Sequence, residues 1–191
     1  MKCVIHGSGG VGGYYGGCLA RAGHEVFFIA RGAHLEAIQK QGLSIKSAKG
    51  DFRIETPKSG ERCDRNFDPY LVIVAVKSWQ LPEITEEIKN YCTPSTLILP
   101  LQNGADASDI LADTLGPERV LGGLTKIFSK IEAPGVINHF TGATYIGFGE
   151  YFQDPQFQNA PDSLSDRCRN LEKELDSTPG IDAEALSLIH I

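Results

Sequence analysis

Gly7, Gly9 and Gly12 stand in G-x-G-x-x-G spacing directly behind a short apolar segment, a pattern suited to holding a pyrophosphate. Gly7 permits a tight turn from strand to helix. Gly9 lacks a Cβ, so backbone N–H groups can approach phosphate oxygens, and Gly12 lets the helix pack close to the strand. Ser8, Gly10 and Val11 complete the turn. The start of the following helix adds unpaired N–H donors and a partial positive charge. The chemistry implied is dinucleotide binding at residues 7–12.

A dinucleotide site selective for NAD ends its second strand in Asp or Glu, about 20 residues past the glycines, to accept from the ribose 2′-OH. Here that place holds Arg31. A guanidinium cannot accept that bond, but it clamps a 2′-phosphate through paired, charge-assisted hydrogen bonds. NADP, as NADPH, is therefore the expected cofactor. Two more polar groups follow expected strands: Lys77-Ser78 after residues 71–76, and Gln102-Asn103-Gly104 after residues 96–101. In open α/β sheets ligands bind beyond the carboxyl ends of the strands. Lys77 offers a cation to an anionic ligand or a ribose hydroxyl. Asn103 donates and accepts at once, so it can bridge cofactor and substrate. His139 is expected to be structural, and His6 has no partner visible in the sequence.

The elements that must position these residues alternate. Residues 2–6, 25–30, 71–76 and 96–101 read as strands, and 11–22, 33–40, 79–91 and 106–115 as helices. Residues 43–55 read as a short hairpin and 57–69 as a loop. Residues 71–76 are an unbroken apolar run rich in β-branched side chains, as in a parallel strand covered on both faces. Strands are next expected at 120–131, 135–140 and 144–148, with turns at Ala133-Pro134-Gly135 and Thr141-Gly142. The expected fold is α/β: a Rossmann-like, doubly wound, mostly parallel sheet with an added antiparallel edge. Residues 151–162 read as a linker. Leu164, Cys168, Leu171 and Leu175 fall at helical spacing, giving an amphipathic helix over 163–176 whose stripe belongs to the core.

Apolar content of 41% and charged content of 22% are those of a globular chain and exclude a disordered one. A net charge of −6 argues against nucleic-acid and anionic-membrane partners. No apolar run reaches the ~18 residues of a membrane span. Cys3, Cys18, Cys63, Cys92 and Cys168 are odd in number and form no C-x-x-C pair. That usage suits a reducing cytoplasm and offers no zinc site, so no metal is expected.

Taken in order, GSGGVGGYYGG at 7–17, AGHEVFFIAR at 22–31, VAVKSWQ at 74–80, LQNG at 101–104, the double glycine at 122–123 and APGVINH at 133–139 give the chain a family likeness. It resembles the ketopantoate reductases (2-dehydropantoate 2-reductases), which use NADPH to reduce 2-dehydropantoate to pantoate in pantothenate synthesis. The likeness covers roughly residues 1–150, the expected NADP-binding domain. It implies that Gly7 to Gly12 hold the pyrophosphate and Arg31 the 2′-phosphate. It places Lys77 beside the nicotinamide ribose, Asn103 against both cofactor and substrate, and Ser129 against the cofactor. The implied substrate is a small keto acid.

Members of the family continue into a helical domain whose first long helix carries W-x-K-L-x-x-N, with the lysine as general acid. No lysine here matches it, because Lys173 lies on the expected amphipathic helix. No catalytic residue is therefore assigned within this chain. Residues 163–191 are expected to be that helix and a truncated lead-in to the absent domain, ending as the broken end of a longer reading frame. The face that such helices would cover is expected to favour self-association, such as a homodimer. Two alternatives stay open: an inactive NADPH-binding module, and a related dehydrogenase for another 2-oxo or 3-hydroxy acid.

Overall fold

The structure, a computed structural model, describes residues 1–104, 106–151 and 164–187. The expected linker, except Tyr151, and the last four residues of the chain lie outside the described residues. The chain opens with β1 (Lys2–His6), α1 (Gly10–Arg21), β2 (Glu25–Ile29) and α2 (Gly32–Gln41). Then come β3 (Leu43–Ser47), β4 (Phe52–Ile54), β5 (Lys58–Gly60), β6 (Leu71–Val74), α3 (Leu81–Lys89), β7 (Leu97–Pro100) and α4 (Ala107–Leu115). The elements β8 (Leu121–Ala133), β9 (Val136–Glu150), α5 (Asp166–Asp176) and β10 (Asp182–Ala185) follow.

The first sheet has the order β5-β2-β1-β6-β7, with every pair parallel. Its order reverses beside β1, which opens a crevice past the carboxyl ends of β1 and β6. Successive side chains of a strand point to opposite faces, so Cys3 and Ile5 join one core while Val4 joins another. All four side chains of β6 are buried, as its apolar run requires. This is the doubly wound arrangement expected from the alternating elements.

The second sheet runs β10-β9-β3-β4, with β8 antiparallel on β9. The β8–β9 pair starts at the β7 edge of the first sheet through a single parallel bridge, Ile98 to Val120. Helix α1 lies between the sheets, and its glycines allow that closeness. A Cβ on Gly16 would come within 2.6 Å of Ile5, and one on Gly13 within 2.8 Å of Ile137. On α5, Cys168, Leu171 and Leu175 are buried in the same core as Cys3 and Ile5. The Ser165 hydroxyl caps that helix by accepting from the Cys168 N–H at 3.2 Å.

Several elements differ from the sequence reading. The stretch expected to be a loop over 57–69 contains β5, paired with the edge of β2. The strands expected at 135–140 and 144–148 are one strand. Register shifts around Phe128 absorb Gly142, whose φ is +91°, so the expected turn is an irregularity within β9. A 3-10 turn over Ser78–Gln80 precedes α3, where one continuous helix was expected. The strand β10, with the polar sequence DAEA, was not foreseen. It pairs in parallel with residues 145–148 of β9.

Candidate functional site

The crevice contains a cavity of about 280 Å³ lined by Gly7, Ser8, Gly9, Arg31, Lys77 and Gln80, among others. Each fingerprint glycine meets a different constraint. Gly7 has φ +102°, and a Cβ there would press within 2.8–2.9 Å of Val76 and the Ala75 carbonyl carbon. A Cβ on Gly12 would collide with the Gly7 carbonyl oxygen and stand 2.8 Å from Ile5. Gly9 has φ −75°, and a Cβ on it would meet nothing within 4 Å. Folding therefore does not require glycine at position 9. The open space there is a cradle that a side chain would fill.

Ser8 is held by its backbone, its N–H donating to the Ile29 carbonyl at 2.9 Å. Its hydroxyl oxygen is buried without a hydrogen-bond partner among the described residues. A buried donor left unmade is costly, so this hydroxyl suits a ligand oxygen. Helix α1 begins at Gly10, and the Gly13 N–H makes the first intrahelical bond, to the Gly9 carbonyl at 2.7 Å. The N–H groups before it are those a helix start leaves for an anion.

Arg31 caps α2 in extended backbone, at the mouth of β2. Its Nη2 donates to Glu83 Oε1 at 3.4 Å, with the two side chains 52% and 68% exposed. Exposed pairs of this kind contribute about 0–1 kcal/mol, so Arg31 can exchange Glu83 for a phosphate at small cost. Arg31 also borders a larger cavity of about 490 Å³, lined by Arg62, Arg65, Glu83, Glu86 and Glu87. That cavity is greater in volume, but the glycine turn lines only the smaller one. Lys77 and Gln80 are fixed by reciprocal bonds: the Lys77 N–H donates to Gln80 Oε1 at 3.1 Å, and the Gln80 N–H to the Lys77 carbonyl at 2.9 Å.

Thus Gly7, Ser8, Gly9, Arg31 and Lys77, each singled out in the sequence, line one cavity. Gly10, Val11, Gly12, Asn103 and Ser129 are not among its lining residues. Gly10 lies against β8, where a Cβ would come within 2.7 Å of the Ser129 carbonyl oxygen. Ser129 thereby backs the helix start. Asn103 is exposed in the loop after β7. Sequence reasoning missed Gln80, three residues past Lys77, and His34, three past Arg31. Both spacings bring a polar side chain back to the mouth of a strand.

His6 lies beneath the turn, buried, with Nδ1 2.9 Å from the Tyr91 hydroxyl. Burial, and then the Arg31 charge, lower its pKa to about 4. A histidine depressed in the folded state stabilises fully above its unfolded pKa, and that stability is lost as pH falls toward the folded value. Urea unfolding is expected to show a loss between about pH 7 and about pH 5 that is about 2 kcal/mol larger in wild type than in His6→Gln. Equal slopes in both proteins would contradict this. His139 is buried, bonded to the Ser47 hydroxyl at 2.9 Å and packed on the Tyr14 ring. No helix among the described residues is long and apolar enough to cross a membrane.

Known proteins share this sequence pattern and fold. Residues 3–151 match the family described as ketopantoate reductase PanE/ApbA. An uncharacterized oxidoreductase of Bacillus subtilis, YkpB, is 34% identical over 100% of this chain and 58% of its own length. The 2-dehydropantoate 2-reductase of Pyrococcus abyssi is 32% identical over 77% of this chain and 47% of its own. The crystal structure of 2-dehydropantoate 2-reductase from Geobacter metallireducens has a TM-score of 0.85 at 30% identity, covering 97% of this chain and 58% of that one. A D-mandelate dehydrogenase solved with NADH and anilino(oxo)acetate shares the fold, with a TM-score of 0.83 at 23% identity over 100% of this chain and 58% of that one. The chain spans about half the length of the curated relatives it matches. With the glycine turn and strand ends of the site inside the matched residues, the chain belongs to the ketopantoate reductase family.

Proposed function

We propose that this chain is the nucleotide-binding part of an NADPH-dependent reductase that converts 2-dehydropantoate to pantoate in the cytoplasm. The observation that carries the reading is the open space at Gly9, with Ser8, Arg31 and Lys77 around the same cavity. The residues present fit the cofactor. The helix start and the unpaired Ser8 hydroxyl suit a pyrophosphate, and Arg31 suits a 2′-phosphate. Lys77 suits the nicotinamide ribose, and Asn103, on the neighbouring loop, the substrate side. NADPH, when bound, supplies the hydride that reduces a ketone.

Within this chain the residues bind and orient. Preorganised backbone donors hold the anion without reorganising, which fixes the cofactor relative to the strand ends. No described side chain is assigned as the acid that protonates the product oxygen, and positioned acid catalysis is worth ~10²–10⁴ in rate. The test is NADPH binding by this chain, measured together with NADPH oxidation on adding ketopantoate, and binding with oxidation supports the reading. Binding without any oxidation would select a pure binding module. Faster turnover with another 2-oxo acid would reassign the substrate.

A further inference from the structure

His34 sits in the first turn of α2, three residues past Arg31, and joins three segments that the cavity depends on. Its Nε2 lies 2.8 Å from the Ser8 carbonyl oxygen, and the Gly135 N–H donates to its Nδ1 at 3.0 Å. A backbone N–H can only donate, so Nδ1 must be the unprotonated nitrogen. The proton then sits on Nε2 and is donated to Ser8. One neutral tautomer satisfies both bonds, and burial favours that form by lowering the pKa.

We infer that His34 is a positioning residue for the dinucleotide cradle, pinning the glycine turn to the start of α2 and to the turn between β8 and β9. The inference rests on the cofactor reading above and adds a residue that touches none of the reacting atoms. The Ser8–Gly9 peptide is planar and trans, so fixing the Ser8 carbonyl also fixes the direction of the Gly9 N–H, one of the cradle's donors. The Ser8 N–H is already committed to Ile29, so the imidazole supplies the second anchor of that residue. The same ring sets the first turn of α2, and with it Arg31, at a fixed distance from the glycines. Its other nitrogen holds Gly135. The strand leading into that turn carries Ile131, which lines the cavity, and Ser129, which backs Gly10.

The test compares His34→Leu, which loses both bonds, with His34→Gln, whose amide can still donate and accept. Calorimetric titration with NADPH and with NADH is run beside thermal melts of each protein. His34→Leu is expected to bind both nucleotides about tenfold or more weakly and by similar factors, since the pyrophosphate is common to both. His34→Gln is expected to stay within about threefold of wild type. If His34→Leu does not fold, His34→Asn carries the test. It is too short to reach Ser8 but able to accept from Gly135, and its expected loss is intermediate. A folded His34→Leu that binds as tightly as wild type, or His34→Gln as weak as His34→Leu, overturns the inference. So does His34→Asn binding like wild type. Wild-type protein that ignores both nucleotides overturns the cofactor reading and this inference together.

Discussion

Gly9→Ala is expected to unfold within about 2–4 °C of wild type while binding NADPH about a hundredfold more weakly. A Cβ at this position meets no atom within 4 Å and the backbone is at negative φ, so the folded chain accepts alanine without strain. The small stability cost comes from alanine being a poor residue at a helix start. The methyl group instead occupies the volume that a phosphate needs in order to reach the N–H donors. Overpacking by one methyl costs about 1–3 kcal/mol in a well-formed site, and the added loss of hydrogen bonds brings the effect near two decades. Gly12→Ala is the internal control with the opposite signature. Its Cβ collides with the Gly7 carbonyl oxygen, so stability falls first. Melts and titrations of the two variants separate the cradle from the packing. Similar melting losses in both, with NADPH affinity retained by Gly9→Ala, would contradict the assignment.

Arg31→Ala is expected to weaken NADPH by about 10–100-fold and NADH by no more than about threefold. The guanidinium stands half exposed where β2 ends, and its present partner is an exposed carboxylate at 3.4 Å. Exchanging Glu83 for a doubly charged 2′-phosphate gains charge-assisted bonds worth about 1.5–3 kcal/mol each before solvent screening. Removing Arg31 also leaves Glu83 facing that phosphate, and the like charge adds to the loss. The difference between the two nucleotides is the readout, because a general distortion of the site would weaken both. Equal losses would remove the 2′-phosphate role.

How much of this was legible in the sequence follows from where each interaction is made. The strand, turn and helix of residues 2–21 were legible because glycine spacing and an apolar run are local signals. The same holds for β6, whose LVIV run leaves little choice. By contrast, the three residues KSG of β5 have no apolar pattern and become a strand only because β2 offers an edge. The polar β10 likewise exists through its pairing with β9. In β9, the signal at Thr141-Gly142 was read as a turn, since the bulge that accommodates it needs the partner strand to be seen.

The site divides the same way. That Gly7, Ser8, Gly9, Arg31 and Lys77 come to one cavity was legible because adjacent parallel strands deliver their carboxyl ends to one place. His34 was not, because its bond to Gly135 joins residues 101 apart in sequence. Asn103 was placed near the ligand by its dipeptide and strand end, yet it stands exposed outside the cavity wall.

The most direct test of the account is calorimetric titration of the wild-type chain with NADPH and with NADH, followed in parallel by the fluorescence of its single tryptophan. That residue is Trp79, 77% exposed in the turn between Lys77 and Gln80. The cradle and Arg31 together predict saturable binding of one NADPH per chain, about tenfold or more tighter than NADH. A folded chain that takes up neither nucleotide, even at concentrations on the order of millimolar, where only about 4 kcal/mol of binding energy is needed, would contradict it.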